Sequence, residues 1–399
     1  NTFFFQFTVD YARRFGKHNV GGMLLYTQRE YKVDVLPSRN QGLSGRFTYD
    51  YDQRYLLEFN FGYNGTERLA KGDRFEFFPA VSLGWLVSNE KFFEPLSNIV
   101  TSLKLRGSYG LVGSDETGGA DSPHFLYIDN VQVTGDGRPG FITGENLNVG
   151  YYGPVVKQWA VQNGGWERVK KLDVGFDLEL FRELSVTFDF FYDKRYNILL
   201  HREAWPQSLG FHEAKPWSNK GKVDNWGYEF STNWRKQLTK DLTMDFRGTF
   251  TYTQNKYVDL DEPIYPYVWQ TSTGKPLNRR TGYIAEGLFQ SQEEIDNSPT
   301  QNLGSKPMPG DIKYRDINGN GIIDSKDQVM ISKTAGMPRI QYGFGLNIDW
   351  KRFNFGVFFN GSAMRDIDIN GLHPFGENDW NAMKFVAENR WTEANPNPN

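Results

Sequence analysis

Residues 309–361 read PGDIKYRDINGNGIIDSKDQVMISKTAGMPRIQYGFGLNIDWKRFNFGVFFNG, and the second half of this stretch decides the fold. In residues 341–349 and again in 353–360, aromatic and aliphatic residues alternate with glycine and polar residues. A period of two residues is typical of a β-strand with one apolar face and one polar face. The short segment between the two runs, Trp350-Lys351-Arg352, predicts a tight hairpin. One hairpin is not stable alone, so the fold prediction depends on further runs of this kind.

Such runs recur along the whole chain, and we count about twelve of them. In residues 242–252 the polar side of the alternation carries Asp245 and Arg247. Charges of both signs are costly in a dry core, so a water-filled interior suits this side better. The predicted strands cover residues 3–13, 20–31, 43–51, 55–63, 79–87, 101–111, 172–180, 184–192, 226–235, 242–252, 341–349 and 353–360.

The connections between these runs alternate between short and long. The long ones cover residues 32–42, 64–78, 112–171, 193–225 and 253–340. Two stacked sheets have no reason to collect all long loops at one end, whereas outer-membrane barrels have short periplasmic turns and long extracellular loops. The sequence therefore predicts an all-β fold, a transmembrane antiparallel β-barrel that forms part of a large outer-membrane barrel. Residues 1–399 would belong to one barrel domain, and 253–340 would be a long extracellular loop.

Composition excludes several classes of protein. Lys and Arg number 45 against 48 Asp and Glu, a formal charge of -3, which argues against a nucleic-acid binder with a strongly basic face. The absence of cysteine excludes disulfides and thiolate sites. No run of about 18 apolar residues is present, so no transmembrane helix is expected. Aromatic residues make up 16% of the chain, which suits strands with an aromatic face.

An acidic segment at 316–327 resembles a calcium-binding loop. Oxygen-bearing residues recur at the loop positions that bind calcium, and Gly321 stands where the template needs a sharp turn. Asp327 departs from the template, because a bidentate glutamate is usual there. A structural Ca²⁺ and a metal-free loop held by Asp and Asn turns both fit this pattern. The candidate ligands are Asp316, Asn318, Asn320, Ile322 through its carbonyl, Asp324 and Asp327.

The predicted long loops carry a second candidate site. Exposed rings beside polar residues can stack on sugar rings or on peptide side chains, although loop packing explains the same pattern equally well. No catalytic residues are predicted, since the five histidines are scattered and no nucleophile or phosphate-binding motif occurs. No cofactor is required. The aromatic candidates are Trp205, Phe211, Trp217, Tyr265, Tyr267 and Trp269.

Several segments, in order along the chain, resemble the SusC/RagA family of TonB-linked outer-membrane proteins. The resemblance spans nearly the whole chain, and the ordered set is more specific than any one motif. The matching segments are NQGLSGR at 40–46, EFNFGYNG at 58–65, FPAVSLGW at 78–85, LKLRGSYG at 103–110, Trp166-Glu167, GDIKYRDINGNGIID at 310–324, and Arg390-Trp391-Thr392.

This resemblance implies a TonB-dependent importer in the outer membrane of a Bacteroidota bacterium. Such proteins import oligosaccharides or peptides, work with a SusD-like surface lipoprotein that closes over the barrel, and receive energy through the TonB complex. The resemblance also implies that the plug domain, the TonB-contacting segment and the last strands lie outside this sequence. Outer-membrane lipid would surround the barrel, and nucleic acid is not an expected partner.

Two other interpretations remain open at this point. A passive porin or a surface adhesin would use the same barrel without a plug. A secreted, calcium-stabilised β-sheet enzyme acting on glycans would need a pair of catalytic carboxylates in a cleft, and the sequence offers no pair that we would name.

Overall fold

The computed structural model describes residues 2–32, 37–115, 125–133, 141–151, 153–161, 164–206, 216–367 and 383–396. The chain forms two compact units. The first comprises Asn1–Pro263 and Gln341–Gly361, and the second comprises Ile264–Ile340 and Ser362–Asn399. Within the described ranges, none of the helices has both the length and the apolar character needed to cross a membrane.

The first unit is built on one twelve-stranded sheet in which the strands lie side by side in the order of the sequence. Each neighbouring pair from β1 to β10 is antiparallel. The strands are β1 Thr2–Phe15, β2 His18–Tyr31, β3 Ser38–Tyr51, β4 Tyr55–Thr66, β5 Phe75–Leu86, β6 Val100–Ser114, β7 Glu167–Leu180, β8 Leu184–His201, β9 Trp217–Thr239, β10 Leu242–Asp259, β11 Ile340–Trp350 and β12 Phe353–Ala363.

Each of the twelve predicted strands is present, and most are longer than predicted. β9 begins at Trp217 rather than at residue 226, and β10 continues to Asp259, beyond residue 252. In these extensions the ladder continues while the apolar alternation stops. Asp224, for example, pairs with Lys256 across the two strands. Backbone pairing and individual side-chain contacts hold these ends without a regular apolar alternation, so hydrophobic periodicity did not reveal them.

The turns of two or three residues between the strands of the sheet all lie at one edge. β1 and β2 are joined through residues 16–17, β3 and β4 through 52–54, and β7 and β8 through 181–183. The connection between β5 and β6 contains two 3-10 helices, Val87–Asn89 and Lys91–Leu96. In the tightest turns Asp52 and Lys351 have φ values of 55° and 54°, in the left-handed region. The predicted alternation of lengths is only partly present, because the connections 32–37 and 67–74, predicted to be long, are shorter than the connection 87–99 between β5 and β6.

The two faces of the sheet differ in character. One cross-strand row contains Tyr51, Tyr55, Trp85, Leu105, Phe176, Phe188, Phe230 and Phe250. The adjacent row, on the opposite face, contains Asp50, Gly84, Arg106, Asp189, Glu229 and Thr251. On the apolar face Leu83 is 62% exposed and Val174 is 50% exposed. Such exposure shows that, among the residues that the structure describes, no second sheet covers this face, which argues against a sandwich.

Small hydrophobic clusters lie where the long connections meet the strands. The rings of Phe78 and Trp166 pack edge to face, and Leu69 belongs to the same cluster. The Trp166 Nε1 donates a hydrogen bond to the Arg74 carbonyl at 3.1 Å. A second cluster contains Leu126, Val161 and Leu199. Two short hairpin-like pairs accompany them, Asn130–Gln132 with Val155–Gln158, and Phe141–Thr143 with Val149–Tyr151.

The second unit consists of short pieces held by local hydrogen bonds. Its helices are α1 Gln292–Asp296 and α2 Lys384–Asn389, with 3-10 turns at Val268–Gln270 and Ser325–Asp327. Gly310 has a φ of 96°, and a Cβ there would meet the Trp391 ring at 2.7 Å, so only glycine fits. The paired strands are Arg280–Gly282 with Val329–Ser332, Ala285–Leu288 with Ile312–Tyr314, and Thr300–Gln301 with Ile322–Ile323.

Candidate functional site

The polar face of the sheet carries a charge cluster centred on Arg106 of β6. Its guanidinium contacts Asp189 at 2.6 Å, Asp177 at 3.3 Å and Asp173 at 3.5 Å. The three carboxylates come from β7 and β8, so one side chain ties three strands together. The Arg106 side chain is 28% exposed and that of Asp189 is 17% exposed. A cluster of four charged and partly exposed side chains is expected on a face that contacts water, such as the inner face of a water-filled barrel.

Glycine at position 175 makes room for this cluster. In the ladder Arg106 lies between Gly84 of β5 and Gly175 of β7. A Cβ at Gly175 would come within 2.3 Å of both the Asp189 carboxylate and the Phe188 carbonyl oxygen. The Phe188 carbonyl belongs to the backbone and cannot move away as a flexible side chain can, so a larger residue does not fit at position 175. Glycine there leaves the space in which Asp189 reaches Arg106.

A concavity of about 760 Å³ lies against the same face. Its lining is mixed in charge and includes Asp50, Glu58, Lys104, Arg106 and Asp173. Beside it, Arg46 pairs with Glu58 at 2.7 Å. The predicted polar side of β10 is organised in the same way, since Arg247 contacts Asp245 at 3.0 Å. The wall therefore offers paired charges and hydroxyls, which suit a hydrated solute more than an apolar one.

The short-turn edge is held by its own ion-pair network. Arg54 contacts Asp52 at 2.7 Å and Glu90 at 3.2 Å, and Lys17 contacts Asp52 at 2.9 Å. The hydrogen bond from Lys17 lowers the pKa of Asp52, with a further contribution from Arg54. A hydrogen bond from Tyr55 lowers the pKa of Glu90, and Trp85 and Arg54 add to this. These pairs fix the turns relative to one another.

The aromatic candidates are divided between the two units. In the first, Trp205 lies under the Arg202 guanidinium at 5.3 Å, and Trp217, which the sequence placed in a loop, is the first residue of β9. Trp217 packs on the Leu126 cluster and against the His201 ring at 3.7 Å. Phe211 lies outside the described residues. The packing of Trp217 stabilises the start of β9, and a role of Trp205 and Trp217 in substrate binding stays a prediction.

In the second unit Tyr267 and Trp269 stack at 4.7 Å with their rings 11° from parallel. Trp269 Nε1 donates to the Lys326 carbonyl at 2.7 Å, and Tyr265 is 38% exposed. Tyr267 and Trp269 thus form a stacked pair, and a role of Tyr265, Tyr267 and Trp269 in substrate binding stays a prediction.

The calcium-like loop is held by hydrogen bonds from its own backbone. The buried Asp327 carboxylate accepts from the amides of Ile317, Asn318 and Asp324 at 3.0, 3.2 and 2.9 Å. Asp316 accepts from two glycine amides, both at 2.7 Å. Similar local bonds, from the amides two residues further on, reach the side-chain oxygens of Asn318, Asn320 and Asp324.

These bonds are enough to shape the loop. Within the described ranges, no group of three or more histidine, aspartate or glutamate side chains is arranged to hold a metal ion. The set of calcium ligands, with the Ile322 carbonyl among them, stays a prediction.

Sequence reasoning missed the Arg106 cluster. Its signal was present in the segment LKLRGSYG, where Arg106 occupies a polar position of an apolar alternation and stands before a glycine. The three aspartates lie up to 83 positions away along the chain, and only the strand register shows that they meet.

We compared the chain with known proteins by sequence and by structure. No protein-family model matches the chain. TonB-dependent receptor P3 of Formosa agariphila is 27% identical over 372 residues, which cover 88% of this chain and 34% of that receptor. TonB-dependent receptor SusC of Bacteroides thetaiotaomicron is 27% identical over 322 residues, covering 78% of this chain and 30% of SusC. The chain thus spans about a third of the length of the curated relatives it matches.

Among solved structures, the RagAB peptide transporter matches with a TM-score of 0.72 at 18% identity, over 99% of this chain and 44% of the matched chain. RagAB in its open-open state matches with a TM-score of 0.70. The resemblance to TonB-dependent receptors of the SusC/RagA type is confirmed, and so is the all-β fold of an antiparallel barrel wall.

Proposed function

We propose that this chain forms part of the barrel wall of a TonB-dependent nutrient importer in the outer membrane of a Bacteroidota bacterium. One observation carries the proposal: a single twelve-stranded sheet has an exposed aromatic face, a charged opposite face, and its short turns at one edge. That combination suits a wall with lipid on one side and water on the other. Similarity to TonB-dependent receptors supports the same function.

The imported solutes would be oligosaccharides or peptides. The concavity on the polar face is lined by hydroxyls and by charges of both signs, which can exchange hydrogen bonds with a polar solute as it passes. The solved RagAB structures are those of a peptide transporter, and this supports peptides as one of the two classes. Tyr265 and the stacked pair of Tyr267 and Trp269 would contact substrate.

A SusD-like surface lipoprotein would be the partner, and energy would come through the TonB complex. The long connections at one edge of the sheet provide the surface on which such a lipoprotein would dock. The chain would perform no covalent chemistry. Binding would differ between open and closed states, and the external energy source would set the direction of transport.

A test in the native host distinguishes import from passive flow. The chromosomal copy is tagged, membranes are fractionated, and uptake of fluorescent oligosaccharides and peptides is followed with and without an uncoupler of the inner-membrane proton gradient. We expect the tagged protein in the outer membrane with a lipoprotein bound, and uptake that stops with the uncoupler. Uptake that continues at the same rate would refute energised import and indicate a passive porin.

A further inference from the structure

A row of lysines crosses the apolar face of the first unit near the edge that carries the long connections. Lys170 of β7 pairs with Lys194 of β8, Lys194 pairs with Asp224 of β9, and Asp224 pairs with Lys256 of β10. Directly paired residues in a ladder share a face. Leu172 follows Lys170 by two residues on β7, in the direction of the short-turn edge, and it lies on the same face and pairs with Tyr192. The cations therefore follow directly after the apolar band.

Aromatic rings hold all three ammonium groups. Lys194 Nζ lies 5.5 Å from the Tyr192 ring, Lys170 Nζ lies 5.5 Å from the Tyr196 ring, and Lys256 Nζ lies 5.7 Å from the Trp226 ring. Contacts of this length are cation–π interactions. Each lysine is exposed, so the rings orient the ammonium groups without covering them.

The charge of the row is positive. Its one carboxylate, Asp224, accepts from the Tyr192 hydroxyl at 2.9 Å and lies 4.0 Å from Lys256. In the described part of the chain, ion pairs within 4.0 Å reach neither Lys170 nor Lys194. Three ammonium groups therefore face outward with one carboxylate among them. Neighbouring strands lie about 4.8 Å apart, so the row spans about 15 Å, which is wide enough for a phosphorylated headgroup.

The height of the row above the short-turn edge matches the thickness of a membrane. On β8 the outward positions from Leu184 to Tyr192 are apolar or aromatic, and Lys194 comes next. The separation of Leu184 and Lys194 corresponds to about 34 Å along a strand and, at a tilt of about 45°, to about 24 Å across the bilayer. Outer-membrane barrels have an apolar band about 25 Å tall. The ammonium groups then lie at the level of the outer headgroups.

We infer that this row, which we call the lysine row (Lys170, Lys194 and Lys256), binds the phosphate of a phosphorylated glycolipid in the outer leaflet. The inference rests on the proposed location in the outer membrane. Ammonium groups bind phosphate as point charges, and the apolar residues below the row, such as Val174, would contact the acyl chains of the same lipid. The occupant is therefore a lipid and not a free anion, because only a lipid uses both surfaces.

The test compares two variants with the same change of charge. In the first, Lys170→Gln, Lys194→Gln and Lys256→Gln are combined. In the control, Lys91→Gln, Lys171→Gln and Lys240→Gln are combined, since Lys91 and Lys240 lie at the short-turn edge and Lys171 contacts Asp193 on the polar face. The full polypeptide is purified in detergent, and binding of monophosphoryl lipid A, its dephosphorylated form and inorganic phosphate is measured by native mass spectrometry.

We expect the first variant to bind monophosphoryl lipid A about 100-fold more weakly, because three lysines are removed, each lysine near an anionic surface contributes about a fivefold factor, and Asp224 is the same in both proteins. The control should bind as wild type does. Equal binding by both variants, equal binding of the dephosphorylated lipid by wild type, or full competition by inorganic phosphate would overturn the inference. Membrane fractionation distinguishes failure of the lipid-binding inference from failure of the proposed function. Absence of the protein from the outer membrane would refute the proposed function, whereas unchanged lipid binding by the first variant would refute only the inference.

Discussion

Replacement of Arg106 tests the charge cluster of the polar face. Arg106→Met keeps most of the side-chain volume and removes the one cation that contacts Asp173, Asp177 and Asp189. Loss of one partner from a fully buried ion pair costs about 3–5 kcal/mol, whereas exposed pairs contribute about 0.2–1 kcal/mol. Because Arg106 and Asp189 are 28% and 17% exposed, we expect about 2–3 kcal/mol of destabilisation.

The assay is reversible urea unfolding of the full polypeptide in detergent micelles or liposomes, followed by tryptophan fluorescence and by the mobility shift of folded barrel on unheated gels. Arg46→Met is the matched control. Arg46 lies on the same face and contacts Glu58 at 2.7 Å, but the two side chains are 52% and 31% exposed. We expect the control to lose less than about 1 kcal/mol.

A double-mutant cycle isolates the cluster from general damage. Asp189→Asn in the Arg106→Met background removes the carboxylate that the first change leaves uncompensated, so part of the stability should return. We expect a coupling energy of about 1–2 kcal/mol between the two sites. Additive losses, or an effect of Arg106→Met no larger than that of Arg46→Met, would refute the claim that this cluster stabilises the wall.

Three further predictions follow from contacts in the structure. Gly175→Ala should destabilise the sheet by about 2–4 kcal/mol because its Cβ meets a backbone carbonyl, while Gly107→Ala, whose nearest atom lies at 3.7 Å, should cost less than about 1 kcal/mol in the same unfolding assay. Arg202 holds the pKa of Asp261 below its ordinary value by a hydrogen bond of 2.7 Å, so this pair stabilises the fold above the unfolded-state pKa of about 3.9 and loses that effect as pH falls through the lower folded-state value. Asp261→Asn should therefore be less stable than wild type at pH 7 and should approach it at low pH in parallel melts, and a gap that is independent of pH would contradict this. Asp316→Ala should lose about 1–2 kcal/mol even in a calcium chelator, since two backbone hydrogen bonds are removed; a loss seen only with calcium present would instead support the ion site.

The strands were predictable from the sequence because each strand has one face in an apolar environment and the other face in a polar one. Alternation between the two faces is a local property, visible in any run such as residues 184–192. The alternating lengths of the connections gave the edge on which the short turns lie. Strand ends such as Trp217 and Asp259 were missed because they lie beyond the apolar band, where pairing continues without a regular apolar alternation.

The site depended on information that one sequence does not display. Arg106 and Asp189 are far apart along the chain and meet only through the register of three strands. The lysine row arises in the same way, from three lysines on three strands. In contrast, the hydrogen bonds of Asp316 and Asp327 are local, and the loop they form was recognisable from spacing alone. Contacts between residues close in sequence were predictable from the sequence, whereas contacts between residues on different strands required the structure.

The central claim is that one face of the sheet contacts lipid and the other contacts water. The sequence contains no cysteine, so single cysteines can be placed along β10 at Thr249, Phe250, Thr251, Tyr252 and Thr253 and spin-labelled in liposomes. Collision with oxygen, which concentrates in lipid, and with a water-soluble nickel chelate is then measured at each position. The account predicts that oxygen dominates at 250 and 252 and the nickel chelate at 249, 251 and 253. The opposite alternation, or equal accessibility at all five positions, would contradict it.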